Sequence, residues 1–156
     1  MATAVPVAAI NVAAVRIDPR HAPEPGAVEF LRTRGGDGRV LTWFDWGEYA
    51  IWHLPVGMQV SIDGRRETVY STALQDRHLR FYFDLSAGAA LPRELNADYV
   101  WLPRGLPAVR KLETDDEWAL AYEDGQSVIF ARTGADHSCE RLTRGATALP
   151  PSFPGP

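Results

Sequence analysis

Apolar positions along this chain recur at helical spacing in some stretches and as short unbroken runs in others, and the alternation of the two outlines its elements. Ala27, Val28, Phe30 and Leu31 lie three and four apart, with Pro25 before them and Gly35-Gly36 behind, which predicts a helix from about Pro25 to Arg34. Asp37-Gly38 then turns the chain into an apolar run from Arg39 to Trp43 or Phe44, a strand buried on both faces. Asp45 is placed to cap a following helix, Glu48 to complete a capping box, and Phe44 and Tyr49 to form a hydrophobic staple. Trp46, Tyr49, Ala50 and His53 share one face of that helix, with Ile51 and Leu54 beside it, and Pro55 stops it.

Met58 to Ile62 reads as a second strand that leaves through Asp63-Gly64-Arg65. Ser71 or Thr72 opens a helix in which Leu74, His78, Leu79, Phe81, Tyr82 and Leu85 recur at three- and four-residue spacing. A small-residue break from Ser86 to Ala90 and a short helical turn within Leu91 to Asn96 lead to a third strand, Ala97 to Leu102. A short helix follows over Leu106 to Leu112. Two runs, Trp118 to Tyr122 and Gln126 to Ala131, flank Glu123-Asp124-Gly125, whose Asp-Gly pair favours a hairpin turn.

This order of elements predicts an α/β fold: a three-layer, mainly parallel sheet of about five strands in the order 2-1-3-4-5, with an antiparallel hairpin edge. Residues 25–132 form the domain. Residues 1–24 are a lead-in, in which Asn11 to Ile17 reads either as an apolar edge strand or as part of the lead-in itself, and the prolines between Asp18 and Pro25 make an extended connector. Residues 133–156, rich in Gly, Pro, Ser and Thr, are expected to be disordered or loosely laid on the surface. At 156 residues, one core can bury roughly two thirds of the unfolded surface.

Charge and cysteine content narrow the classes of partner. Twenty acidic against 16 basic residues leave a net charge of −4 with no basic cluster, which argues against a nucleic-acid surface and a polybasic membrane patch. The single Cys139 cannot build a disulfide framework or a cysteine metal site within the chain. Met1 to Val15 is apolar but lacks the basic start of a secretory signal and is shorter than a bilayer span, so the domain is expected to be soluble. Glycine-rich nucleotide loops, the Gly-x-Ser-x-Gly elbow and the His-Glu-x-x-His helix are absent, and His21, His78 and His137 are scattered over different elements. No metal and no cofactor is expected.

Ligands of such sheets usually sit beyond the carboxyl ends of the strands. If the first two strands are neighbours, Asp45 and Asp63 emerge at one edge, with Arg65, Arg66 and His53 within reach. Two carboxylates, an imidazole and a guanidinium can hold a divalent ion, serve as acid and base, or recognise a polar ligand. Each also has a structural explanation: Asp45 as a helix cap, Asp63 as a turn former, Arg65 as its ion-pair partner and His53 as a packed helix residue. Trp43, Trp46, Tyr49 and Trp52 read first as a core cluster, with a platform on which a sugar could stack as the alternative.

The run Trp43-Phe44-Asp45-Trp46-Gly47-Glu48-Tyr49, followed by Val60-Ser61-Ile62-Asp63-Gly64-Arg65 and Tyr70, resembles the segment just after the transmembrane region in bacterial multi-spanning proteins of the glycosyltransferase C superfamily. The helix Ala27-Val28-Glu29-Phe30-Leu31-Arg32 fits the same pattern, so the resemblance covers about Asp18 to Tyr70. More distantly, the run resembles the Trp-Trp-Asp-Tyr-Gly motif in the soluble domain of the oligosaccharyltransferase catalytic subunit. Trp43, Asp45 and Gly47 match it, while Phe44 and Trp46 depart. The resemblance implies an extracytoplasmic, periplasmic-side domain of a membrane-tethered parent whose catalytic carboxylates and metal lie in its membrane-embedded part. Such a domain is not catalytic alone and positions acceptor or glycan, with Trp43, Asp45, Trp46, Asp63 and Arg65 as its binding residues. Two other readings stand beside it: a free-standing binding module using the same aromatic residues, and a small metal-dependent enzyme, which requires Asp45 and Asp63 within a few ångströms of each other.

Overall fold

The computed structural model describes residues 23, 25–34, 37–84, 86 and 90–134. The edge strand expected at Asn11 to Ile17, most of the proline connector, Leu85 and the tail beyond Gly134 lie outside the described residues.

Helix α1 spans Pro25–Arg34, as its spacing predicts. Proline suits its first turn, Ala27, Val28, Phe30 and Leu31 are buried, and Arg32 and Arg34 sit where the helix dipole favours positive charge. Strand β1 (Asp37–Thr42) is followed by a 3₁₀ turn (Phe44–Trp46) that passes into α2 (Gly47–His53). Neither the turn nor α2 has a side-chain cap. The expected capping box is therefore absent: Asp45 lies within the 3₁₀ turn, Trp46 takes the N-cap position of α2, and the Gly47 amide donates to the Phe44 carbonyl instead.

Strand β2 is Gly57–Val60 and the short α3 is Arg66–Val69. Ser71 caps α4 (Thr72–Phe83), its Oγ accepting from the Leu74 amide at 3.3 Å. Of the expected stripe, His78, Phe81 and Tyr82 are buried, while Leu79 stays exposed. The remaining elements are α5 (Ala90–Glu94), β3 (Tyr99–Pro103), α6 (Pro107–Glu113), β4 (Trp118–Glu123) and β5 (Ser127–Arg132).

Together they make a mixed α/β fold on one five-stranded mixed sheet, ordered β2-β1-β3-β5-β4. The β1–β2 and β1–β3 pairs are parallel, and the β3–β5 and β5–β4 pairs are antiparallel. Two expectations are corrected here. The sheet is not mainly parallel, and the hairpin docks through its second arm, so the order is not 2-1-3-4-5. The physical reason is burial: β5 is buried from Ser127 to Ala131 and takes the interior position, whereas β4 keeps half-exposed residues and carries a register shift between Leu120 and Tyr122, as suits an edge.

Alternate residues of the central strands feed two apolar clusters. Val40, Tyr99, Trp101, Ile129 and Ala131 pack with residues that include Leu31 of α1, Trp46 of the 3₁₀ turn and Ala50 of α2. Leu41, Val100, Leu102, Val128 and Phe130 pack with Phe81 and Tyr82 of α4, Leu91 of α5 and Leu112 of α6. Polar ties then lock the elements. Tyr82 Oη donates to the Thr42 carbonyl at 2.6 Å, and Lys111 Nζ on α6 donates to the Phe81 carbonyl at 2.8 Å, closing the last turn of α4 from outside. At the hairpin, Asp124 accepts from the Gln126 and Ser127 amides at 2.8 and 2.6 Å.

Candidate functional site at the carboxyl ends of the parallel strands

Because β2, β1 and β3 run parallel, their carboxyl ends share one edge, and strand order reverses between β1 and β3. Trp43 stands at that reversal. Its amide donates to the Trp101 carbonyl at 3.2 Å, extending the ladder by one residue. The half-buried indole packs at 4.2 Å from Phe44, 4.9 Å from Tyr82 and 5.9 Å from Phe83, measured between ring centroids. Asp45 follows on the exposed side of the 3₁₀ turn, while Trp46 turns inward against Trp101, ring centroids 5.6 Å apart, and is 2 % exposed.

Asp63, three residues past β2, is fully buried. Arg65 grips it with Nε at 3.1 and 3.2 Å from the two carboxylate oxygens and Nη2 at 2.7 Å, and its backbone amide donates to Oδ1 at 2.9 Å. Tyr70 Oη donates to Oδ2 at 3.1 Å. These hydrogen bonds hold the Asp63 carboxyl below the usual carboxylate range, the Arg65 side chain contributing most. Asp63 raises the Arg65 pKa in turn, although the Arg65 side chain remains 63 % exposed. The product is an outward-facing guanidinium whose orientation is fixed from below by a buried acid.

Two glycines bring the segments together. A β-carbon at Gly47 would overlap the Ile62 carbonyl oxygen and stand 2.5 Å from Asp63 Cα, and one at Gly64 would overlap Glu48 Oε1. The start of α2 thus lies directly on the Ile62 to Gly64 turn, and Glu48 covers that turn instead of reaching back to cap its own helix.

Other residues named from sequence are placed differently. His53 stacks on Tyr49 at 4.2 Å, and its pKa is lowered by burial first and by Arg32 of α1 second, so its charged neighbour lies on α1. Trp52 is 76 % exposed, with Ile51 and Val56 also exposed, and stands outside the buried aromatic cluster. Among the described residues no group of three or more His, Cys, Asp or Glu side chains could hold a metal ion, and both Asp63 oxygens are engaged by Arg65 and Tyr70. Nor, among these residues, is any helix long and apolar enough to cross a membrane.

Sequence reasoning missed one pairing at this edge. His78 lies on the buried stripe of α4 and reaches Ser61, the residue after β2, at 3.3 Å. Its position on an apolar face was the available signal, but nothing local linked it to a residue 17 positions earlier. Comparison with family models, with curated proteins and with solved structures gives no match to this chain.

Proposed function

We propose that the chain is the extracytoplasmic accessory domain of a membrane glycosyltransferase resembling the glycosyltransferase C superfamily, that it positions acceptor or glycan above a membrane-embedded catalytic part, and that it is not catalytic alone in sugar transfer. The observation that carries the reading is the packing of Gly47 on Asp63, because it joins the two stretches on which the resemblance rests. Trp43, Asp45 and Arg65 offer an aromatic edge, an acid and an oriented base, a set suited to the faces and hydroxyls of a sugar. Trp46 and Asp63 support them from beneath. A three-layer arrangement, with α1 and α2 on one side of the sheet and α4 to α6 on the other, belongs to this reading and is supported by the two separate clusters.

Two experiments test it. The coding sequence upstream of residue 1 should encode several apolar spans of about twenty residues with acidic loop residues between them; a stop codon and promoter there would overturn the reading. On an immobilised glycan array, the Asp45→Asn, Asp63→Asn double variant should lose the binding shown by the unaltered chain, and full retention would count against these residues as the site. A free-standing interaction module is the second reading. The exposed trio Ile51, Trp52 and Val56 favours it, and the same upstream stop codon would support it.

A further inference from the structure

Ser61 and His78 form a pair that the proposed function does not use. Ser61 leaves the carboxyl end of β2 with its amide donating to the Val40 carbonyl at 3.0 Å, so its backbone is held by the edge of the ladder. Its hydroxyl lies 3.3 Å from His78 Nε2, and the other ring nitrogen, Nδ1, lies 3.0 Å from the Leu74 carbonyl oxygen. A carbonyl oxygen can only accept, so Nδ1 carries the proton and Nε2 is left as an acceptor facing the Ser61 hydroxyl. This is the tautomer required of a base that removes a hydroxyl proton, with the Leu74 carbonyl in the orienting place that a carboxylate takes in a Ser-His-Asp triad.

The surroundings suit that chemistry. His78 is 1 % exposed, and burial lowers its pKa, Arg77 on the same helix adding to the effect and the Leu74 bond opposing it. The ring is therefore neutral at pH 7 and able to take a proton. From its own helix the Tyr82 ring faces it at 5.9 Å, and the segment after β2 faces it with Ser61, which is only half-buried and so open to an incoming molecule.

We propose that Ser61 is a nucleophile activated by His78, an acyl-accepting hydroxyl for small activated esters. Oγ of Ser61 bonds to the ester carbonyl carbon while its proton passes to Nε2. The bond to the leaving alcohol then breaks and that oxygen takes the proton from Nε2. Water attacks the acyl-serine with His78 again as base, which releases the carboxylic acid and restores the hydroxyl. The step uses this chain's own residues and stands or falls apart from any role in glycan positioning.

A fluorophosphonate probe tests it on the whole chain. The oxygen–phosphorus bond forms at serine, fluoride departs, and the proton goes to His78. Peptide mapping by mass spectrometry should place the adduct on Ser61, at a rate about 100-fold above that of the exposed Ser71 and Ser86. That excess should vanish in His78→Gln. It should also fall away in the unaltered protein at a pH lower than the ordinary imidazole value, as the pH drops through the pKa that burial has lowered and the ring takes up its proton, a readout that survives if the variant folds poorly. Labelling of Ser61 no faster than of Ser71 and Ser86, or a rate that climbs with pH without inflection, would overturn the proposal.

Discussion

Gly47 touches Asp63 backbone to backbone: a β-carbon on the glycine would come within 2.5 Å of Asp63 Cα. The glycine has an ordinary helical φ of −60°, so what it provides is room, and a methyl group there must push α2 off the Ile62 to Gly64 turn. Gly47→Ala should cost about 1–3 kcal/mol in urea unfolding. Gly105→Ala, where a β-carbon would meet nothing within 4 Å, should leave the midpoint nearly unchanged. Equal effects of the two substitutions would contradict the close approach.

Asp63 should give the protein an acid-sensitive step. Its folded-state pKa is depressed, chiefly by Arg65, so its contribution is present above the unfolded value of about 3.9 and is lost as pH falls through the lower folded value. Asp63→Asn should cost about 1–3 kcal/mol at neutral pH and flatten this acid limb in denaturation curves taken at successive pH values. An unchanged limb would assign the acid sensitivity to other carboxylates.

Tyr82 should act at the opposite extreme. Burial raises its pKa well above the ordinary value, with the Asp45 charge adding to it, so the phenol stays protonated in the fold while the unfolded chain ionises above about pH 10. Stability should therefore fall as pH rises beyond that value. Tyr82→Phe should remove this alkaline loss and cost about 1 kcal/mol at neutral pH for the lost bond to the Thr42 carbonyl. Absorbance titration of the tyrosines is the check.

Trp46 and Trp52 lie six positions apart and should behave as opposites. Trp46→Ala empties a core site against Trp101 and should cost about 3–5 kcal/mol. Trp52→Ala removes a ring that is 76 % exposed and should change stability by less than about 0.5 kcal/mol. Thermal melts of the two variants compare them directly.

What the chain disclosed in advance follows the range over which each signal acts. Helix α1 was readable from Pro25 and a local stripe, and α4 from Ser71 and its apolar repeat, because such signals act within a few residues. The capping box failed because Gly47 has to lie on Asp63, a contact made across two elements, and the 3₁₀ turn delivers the chain to it. For the hairpin, the Asp-Gly turn defines both arms without saying which one docks on β3. The unbroken apolar run from Val128 to Ala131 held that information, since an interior strand is covered on both faces. Within the candidate site, Asp63 and Arg65 could be paired from a separation of two residues. The Ser61–His78 contact could not, because it exists only after α4 has packed over the end of β2.

Lys111 ties together two helices that the chain makes far apart. Its ammonium is bound to the Phe81 carbonyl, so the end of α4 cannot fray by itself: releasing that turn also withdraws the counterpart of a buried charge on α6. With Tyr82 anchored one residue on to the end of β1, the amides in the last turn of α4 should exchange with deuterium as slowly as those of the central strands and open only when the whole domain does.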